Sequence, residues 1–587
     1  MNPKIYGIFS ILFFLSATIY AQPARSGIPW SKTQIVAEVS SAEIALPRPD
    51  FEAAAYEDIQ PAATAGAYRI ALPVETDISF QQDGIYTYLD DGRMIWRLSV
   101  VIPDAKALSV DIDDLYLPDG VRLYFSNENG KQLVGAFTNR DVSAQFGVPL
   151  VQGSKMNIEV NIPPGTSISD ISLHIHKAYA AYRSGLVDGL EQYYGDTSSG
   201  GKLQRPLNDF SSPCQINAVC ETDTFISKIK NTAVQIQLGA YLCSGNLINN
   251  SQNDCTPYLL TASHCEETNS MNNSTFSTWV FYFNYEYPNC GDNSQISVAP
   301  MSQFLTGAMF VARSFVPQTS PTPIVEDFLL LRLNDPLNFL ENEWDAYLAG
   351  WSIEDSSAGD ALPPDTLYNL VNYHHPVGDP KKINTADSMI SGYNFNNGAE
   401  DTHWGVYFTA GGFEGGSSGS GIFTASDRYL RGILNGAALT DPCFPSEYYS
   451  TLFGKLSRCW DYPEGDGTAQ TRLRDHLDPE GLGLTHAPTI KYQCTPVGIS
   501  QSENDYSIYV FPNPASSVIT VKANLPHTSD IEMAIYDISG KKCATYHVPG
   551  VKNSEISADV SMLPEGLYFI KIWSGNSTWS QKLLIRR

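Results

Sequence analysis

An all-β chain of several domains is what this sequence predicts, on three observations. Short runs alternate between apolar and polar residues, the period of a half-buried strand, and they are separated by turn residues. Charged residues are sparse at 17%, aromatics reach 11% with 32 tyrosines, and glycine and proline are plentiful, a profile of strands and turns rather than of helical bundles. The 587 residues exceed what one core can bury, so the chain must divide into domains.

Taken in order, the first stretch reads as an export signal at 1–21. Lys4 supplies the charge, residues 8–19 a short apolar core, and Ala21 a small residue before a cut at Gln22. That core is too short to span a bilayer. Residues 22 to about 65 are rich in Ala, Pro and acids and form a lead-in. From 68 to 182 come MIWRLSVV (94–101), VRLYF (121–125) and MNIEV (156–160), with PDG and PPG turns between them. This predicts a β-sandwich, and no reactive cluster appears in it. YYGDTSSGGKLQRPLNDF at 193–210 is polar and glycine-rich, with Lys202 and Arg205 open to nicking, as domain boundaries are.

The segment that follows, to about 496, is cysteine-rich and again strand-patterned, with AVQIQL (233–238), YLLT (258–261) and WVFYF (279–283). A short amphipathic helix is expected near 472–477. Past a polar linker at 498–505, the runs YVFPNPASSVITVKA, MAIYDISGKK, GLYFIKI and QKLLIRR predict a small Ig-like β-sandwich over 505–587, with a turn at 539–540.

Ten cysteines behind an export signal suggest disulfides. No Cys-x-x-Cys or His-x-x-x-His spacing suggests a metal, and none is expected. The net charge of −26 and the lack of a basic stripe exclude nucleic acid as a partner.

Chemistry concentrates at three places in the middle segment. In GGFEGGSSGSGIF (411–423), six residues are glycine and three are serine. Such a run suits a tight loop that aims backbone N–H groups inward around a nucleophile. LLTASHC (259–265) ends a buried strand on His264, and VEDFLLL (325–331) leads from Asp327 into another. Acyl transfer by a serine requires a base within reach and a carboxylate that fixes the base's tautomer. His264, Asp327 and Ser418 supply that set in the order His, Asp, Ser. An α/β-hydrolase esterase would need its histidine last. A silent adhesin that keeps this domain for binding is the rival from another class, and the intact trio weighs against it.

These motifs resemble those of chymotrypsin-like serine proteases. CSGNLINN (243–250), VFYFNYEYPNC (280–290), YHHP (373–376), GSSGS (416–420) and RLRDHLDP (472–479) resemble the bacterial lysyl endopeptidase branch. The resemblance implies a double six-stranded β-barrel over 206–496, preceded by a propeptide at 22–205. It implies His264 as general base, Asp327 as its orienter and Ser418 as nucleophile, with Gly416 and Ser418 as oxyanion donors. Gly412, Phe413, Asn435, Gly436, Ala437 and Thr451 would line the substrate pocket. The lysine-selecting aspartate of that branch should fall near Thr451, where no acid stands; Glu447 is the nearest, and a neutral pocket is expected. Ser417 stands where many relatives carry an aspartate that pairs with a new N-terminus.

The resemblance also implies disulfides Cys214–Cys443, Cys220–Cys290 and Cys243–Cys265. Cys255–Cys459 is expected as a fourth, and Cys494 and Cys543 are unassigned. The C-terminal block resembles the type IX secretion sorting domain. It implies export to the medium or the outer cell surface, with the secretion machinery and protein or peptide substrates as partners. A monomer needing no cofactor is expected, matured by a cut between 200 and 214.

Overall fold

The computed structural model describes residues 27–33, 41–59, 67–195, 211–266, 268–291, 303–315, 326–335, 339–355, 366–393, 401–437, 443, 451–461, 466–493, 507–511, 515–537, 541–574 and 577–587. The export signal, Lys202, Arg205, Glu447, Cys494, the linker at 498–505 and the turn at 539–540 lie outside them. Residues 1–493 make one compact unit and residues 494–587 a second. The described residues are mainly strands, so the protein is all-β.

The first unit opens with a sandwich. In one layer, Met94–Val101 pairs antiparallel with Lys155–Ile162, followed by Arg122–Asn127 and Leu133–Phe137. Ala42–Ala45 adds in parallel at the edge. In the other layer, Ala107–Tyr116 pairs with Ser172–Ala181, which pairs with Ala71–Ser79. Trp96, Leu98, Val110, Phe125, Ile158 and Leu173 fill the space between. The same buried cluster runs on into Leu242, Val280 and Tyr282 of the next domain. Two bodies that share a core are docked by the apolar area they remove from water, the dominant favourable term in association.

Two barrels follow. In the first, the strand order is Phe304–Thr306, Val280–Tyr282, Ala233–Leu238, Tyr241–Ile248, Tyr258–Thr261, Leu329–Leu333 and Ala308–Arg313. Its two outer members are consecutive in the chain and are broken only at Gly307. The sheet therefore rolls round on one bent strand, and six strands make the barrel.

In the second barrel, Gly421–Thr424 pairs with Thr366–His374 and Tyr429–Ala437. The circuit runs on through Lys382–Tyr393, His403–Val406 and Thr451–Lys455 back to Tyr429–Ala437. Six strands thus close fully by hydrogen bonds, which leaves no edge inside the ring. Leu370, Met389, Trp404, Ile422, Leu434 and Phe453 fill it. The expected helix forms at Arg474–Leu477.

In the second unit, Val518–Asp537 and Lys542–Asp559 form one long hairpin. Its Val518 half also pairs with Ser507–Phe511 and its Asp537 half with Gly566–Ser574. The register shifts between Asn524 and Ile531, so the hairpin changes partners and encloses Ile519, Val521, Met533, Ile535, Ile570 and Leu583.

Candidate active site

Strand register brings His264 and Asp327 together. Thr261 pairs with Leu329. His264 follows Thr261 in a single turn, Ser263–Cys265, and Asp327 lies two residues before Leu329, so both leave the sheet at one end. The contact is double: the His264 backbone N–H donates to Asp327 Oδ1 at 2.9 Å, and Nδ1 meets Oδ2 at 2.5 Å. The Asp327 side chain is fully buried and that of His264 8% exposed. With Nδ1 engaged, the ring turns Nε2 away from the carboxylate, the arrangement a general base needs.

A layer of support for that turn was not legible in the sequence. Arg313, fully buried, donates to the Ser263 carbonyl at 3.1 Å, the Glu266 carbonyl at 2.8 Å and Glu266 Oε2 at 2.5 Å. Burial alone would raise the Glu266 carboxyl. Hydrogen bonds from Thr268, Arg313 and Ser270 outweigh it and leave the group below its usual range. On the other side, the Ser314 N–H donates to the Phe328 carbonyl and the Phe328 N–H to Ser314 Oγ, each at 2.9 Å. These bonds fix the backbone beside Asp327. The one hint in the sequence is an arginine closing the otherwise uncharged strand Ala308–Arg313.

Ser418 lies in a loop sewn to both barrels. The Ser244 N–H donates to the Ser418 carbonyl, and Ser244 Oγ to the Gly416 carbonyl, each at 2.8 Å. The Gly419 N–H donates to the Leu434 carbonyl at 2.9 Å. Gly416 and Gly419 have φ of +87° and +85°, and a Cβ on Gly419 would come within 2.1 Å of Thr261 Oγ1 and 2.8 Å of the Ala262 nitrogen. Only glycine fits there. Its absent side chain is what lets the Ser418 loop press against the strand that ends on His264.

The carbonyls in this loop fix where its amides point. The Gly415 carbonyl accepts from Val377 N–H at 2.7 Å and the Ser417 carbonyl from Ser420 N–H at 3.1 Å. In trans peptides the Gly416 and Ser418 N–H groups point the opposite way. Ser417 Oγ is bonded to His374 Nδ1 at 2.7 Å, and burial holds that histidine down at about 3. Ser417 is therefore a buried partner of a neutral ring. Glu414 accepts from Ser212 N–H at 2.9 Å, Ser212 Oγ at 2.9 Å and Gln215 Nε2 at 2.9 Å. Burial raises its carboxyl, and it ties the start of the barrel domain to the loop; the sequence reading missed it.

Among the pocket residues, Thr451 is buried and pairs with Ala437 on one side and Val406 on the other. Gly436 pairs with Leu452. The Gly412 N–H donates to Asn384 Oδ1 and its carbonyl accepts from Asn384 Nδ2, each at 2.9 Å. Phe413 packs on the core of the second barrel. Asn435 Nδ2 lies 2.9 Å from His403 Nε2, a ring that burial pushes down to about 4. Among the described residues no group of three or more metal-ligating side chains converges.

Three expected disulfides form: Cys214–Cys443, Cys220–Cys290 and Cys243–Cys265. The expected Cys255–Cys459 bridge does not, although both side chains are buried. Cys255 lies in the loop before Tyr258–Thr261. Cys459 lies on the helix Leu456–Asp461, where burial pushes its thiol well up and the Asp327 backbone donates to it. Both cysteines belong to the same domain, and shared membership of a domain does not set a distance.

Residues 208–449 match the model of the lysyl endopeptidase C-terminal domain, and residues 509–586 that of the secretion system C-terminal sorting domain. A lysyl endopeptidase of Pseudomonas aeruginosa is 25% identical over 370 residues, spanning 59% of this chain and 69% of that protein. Two solved structures of the Rv3671c protease of M. tuberculosis H37Rv, both in an inactive form and one a Ser343Ala mutant, overlap 40% of this chain at 13% identity. They are covered to 85% and 89%, with TM-scores of 0.23 and 0.24. The fold therefore rests on the strand pairings above. The sorting domain marks the chain for export by type IX secretion, to the medium or the cell surface. The chain thus carries a lysyl endopeptidase-type domain over 208–449 and a secretion sorting domain over 509–586.

Proposed function

We propose that the chain is the precursor of a secreted serine endopeptidase. The observation that carries this reading is the buried His264–Asp327 pair standing beside the glycine loop of Ser418. In the reaction, Ser418 Oγ attacks the peptide carbonyl while His264 Nε2 takes its proton. Asp327 keeps the ring in the Nδ1–H tautomer and offsets the imidazolium charge. The N–H groups of Gly416 and Ser418 hold the tetrahedral oxyanion. His264 then protonates the leaving amine, and water repeats the cycle on the acyl-enzyme.

The pocket favours an uncharged side chain before the scissile bond. Thr451 is buried, and a lysine placed against it would lose hydration without gaining a carboxylate. The domains would be an export signal at 1–21, a propeptide at 22–205 with its sandwich at 68–182, the protease at 206–496 and the sorting domain at 505–587. The sorting machinery and protein substrates would be the partners of a monomer.

Two experiments test this. Ser418→Ala should lower polypeptide cleavage by the matured enzyme on the order of 10⁴-fold or more, and a variant that keeps its activity would refute the assignment. N-terminal sequencing of the active secreted form should begin between residues 200 and 214; a start at Gln22 would refute the propeptide.

A further inference from the structure

We infer that, before maturation, the N-terminal domain lays residues 68–71 as an extended strand against residues 240–242, closing the side of the site through which the leaving half of a polypeptide departs. The inference rests on the serine-peptidase and propeptide readings above.

The strand is short and well placed. Tyr68–Arg69 pairs antiparallel with the barrel edge, Arg69 opposite Tyr241 and Tyr68 opposite Leu242. The ladder continues where Ile70 and Ala71 N–H groups both reach the Ala240 carbonyl, at 2.8 and 3.2 Å. Tyr68 stands over the serine loop: a Cβ on Gly415 would come within 3.0 Å of its ring.

The N-terminal domain grips this strand from behind. The Tyr182 N–H donates to the Ile70 carbonyl at 3.0 Å, and Arg183 Nε to the Arg69 carbonyl at 2.9 Å. The Arg183 guanidinium also lies 4.4 Å over the Tyr68 ring. Both arginines converge on Asp58, at 2.8 and 3.0 Å, and that carboxylate is only 3% exposed. Buried ion pairs of this kind fix a geometry rather than add stability. Here the geometry fixed is that of residues 68–71.

What the strand covers follows from the chemistry. The leaving amine must face His264, which protonates it. Residue 265 is bridged to Cys243, and Cys243 follows Leu242 directly. The chain beyond a scissile bond therefore runs toward the Tyr241–Leu242 edge, where the barrel offers unpaired backbone groups to an extended peptide. Tyr68 faces Leu242 there, and the Ile70 N–H takes the Ala240 carbonyl. A reagent whose leaving group is a few atoms long needs no such ladder. The whole chain should accordingly exclude polypeptides while its serine stays reachable by small acylating or phosphonylating reagents.

The test compares the whole chain, kept intact by Lys202→Ala with Arg205→Ala and checked by mass, with the matured enzyme. Two rates are measured: fluorophosphonate labelling of Ser418 and cleavage of an unfolded polypeptide. The intact chain is expected to label within about tenfold of the mature rate while its polypeptide cleavage is suppressed far more. Ile70→Pro, which removes the N–H that donates to the Ala240 carbonyl, and Tyr68→Ala should each restore polypeptide cleavage about tenfold or more and leave labelling unchanged. Normal labelling certifies that a variant has folded, and either variant alone suffices. An intact chain blocked equally on both readouts, or variants that label normally yet stay blocked to polypeptide, would overturn the inference. A mature enzyme that fails to label at all would instead remove the serine-peptidase reading, so the two failures are distinct.

Discussion

Asp327 meets His264 through two contacts. It holds His264 by ring and by backbone, so replacing a single oxygen by an amide should keep the fold and spoil the tautomer. Asp327→Asn is expected to lower kcat on the order of 10⁴-fold with little change in KM. A loss of only a few-fold in steady-state kinetics would mean that the carboxylate is not an orienter. The other histidines behind the loop are buried and neutral. His374 is held at about 3 and His403 at about 4, both by burial. A histidine unfolds to a pKa of about 6.5, so the unfolded chain binds more protons in the window between, and stability must fall as pH drops from about 6.5 toward 4. Urea titrations should show about 2 kcal/mol or more lost over that window. A flat profile would mean that these rings are charged or exposed in solution.

At the scale of elements, the turn at Ser263–Cys265 is fixed by two devices. The Cys243–Cys265 bridge closes it from one side across a separation of 22 residues, worth about 3 kcal/mol by loop closure. Arg313 with Glu266 closes it from the other side. Arg313→Met would strand the Glu266 carboxylate in the interior and is expected to cost about 3–5 kcal/mol, read as a fall in the urea midpoint. A change below 1 kcal/mol would show that water already reaches the pair. Strands such as Met94–Val101, Ala233–Leu238 and Tyr258–Thr261 were legible because each carries its own pattern of apolar residues. His264, Asp327 and Ser418 were legible because each sits in a local motif. Arg313, Glu266 and Glu414 were not: each is defined by partners that only the fold brings near. The missed cysteine pairing has the same cause. Cys255 and Cys459 carry no local mark of where the other lies.

At the scale of the whole molecule, the sequence marks off the N-terminal sandwich, but its shared core with the barrel was not legible. Tyr68 and Leu242 are far apart in the chain and paired in space. The shared interface also contains Asp111, which burial pushes up to about 6 against hydrogen bonds from Tyr179 and Thr278 and the nearby charge of Lys177. Thr278 belongs to the barrel, so release of the sandwich would return Asp111 toward an ordinary value of about 3.9. The docked state then binds the extra proton, and docking must strengthen as pH falls from about 6 toward 4. After the chain is cut, retention of the sandwich by the barrels should be tighter at pH 5 than at pH 7.5. Asp111→Asn should remove most of that difference in gel filtration; an unchanged difference would assign it to other groups.

The proposed peptidase reaction depends on which atom carries out the attack. Treating the matured protein with a fluorophosphonate and mapping the adduct by mass spectrometry reads that atom directly. One adduct on Ser418, lost in Ser418→Ala and slowed in Asp327→Asn, is the predicted result. No adduct, or one on Ser417 or Ser420, would contradict it.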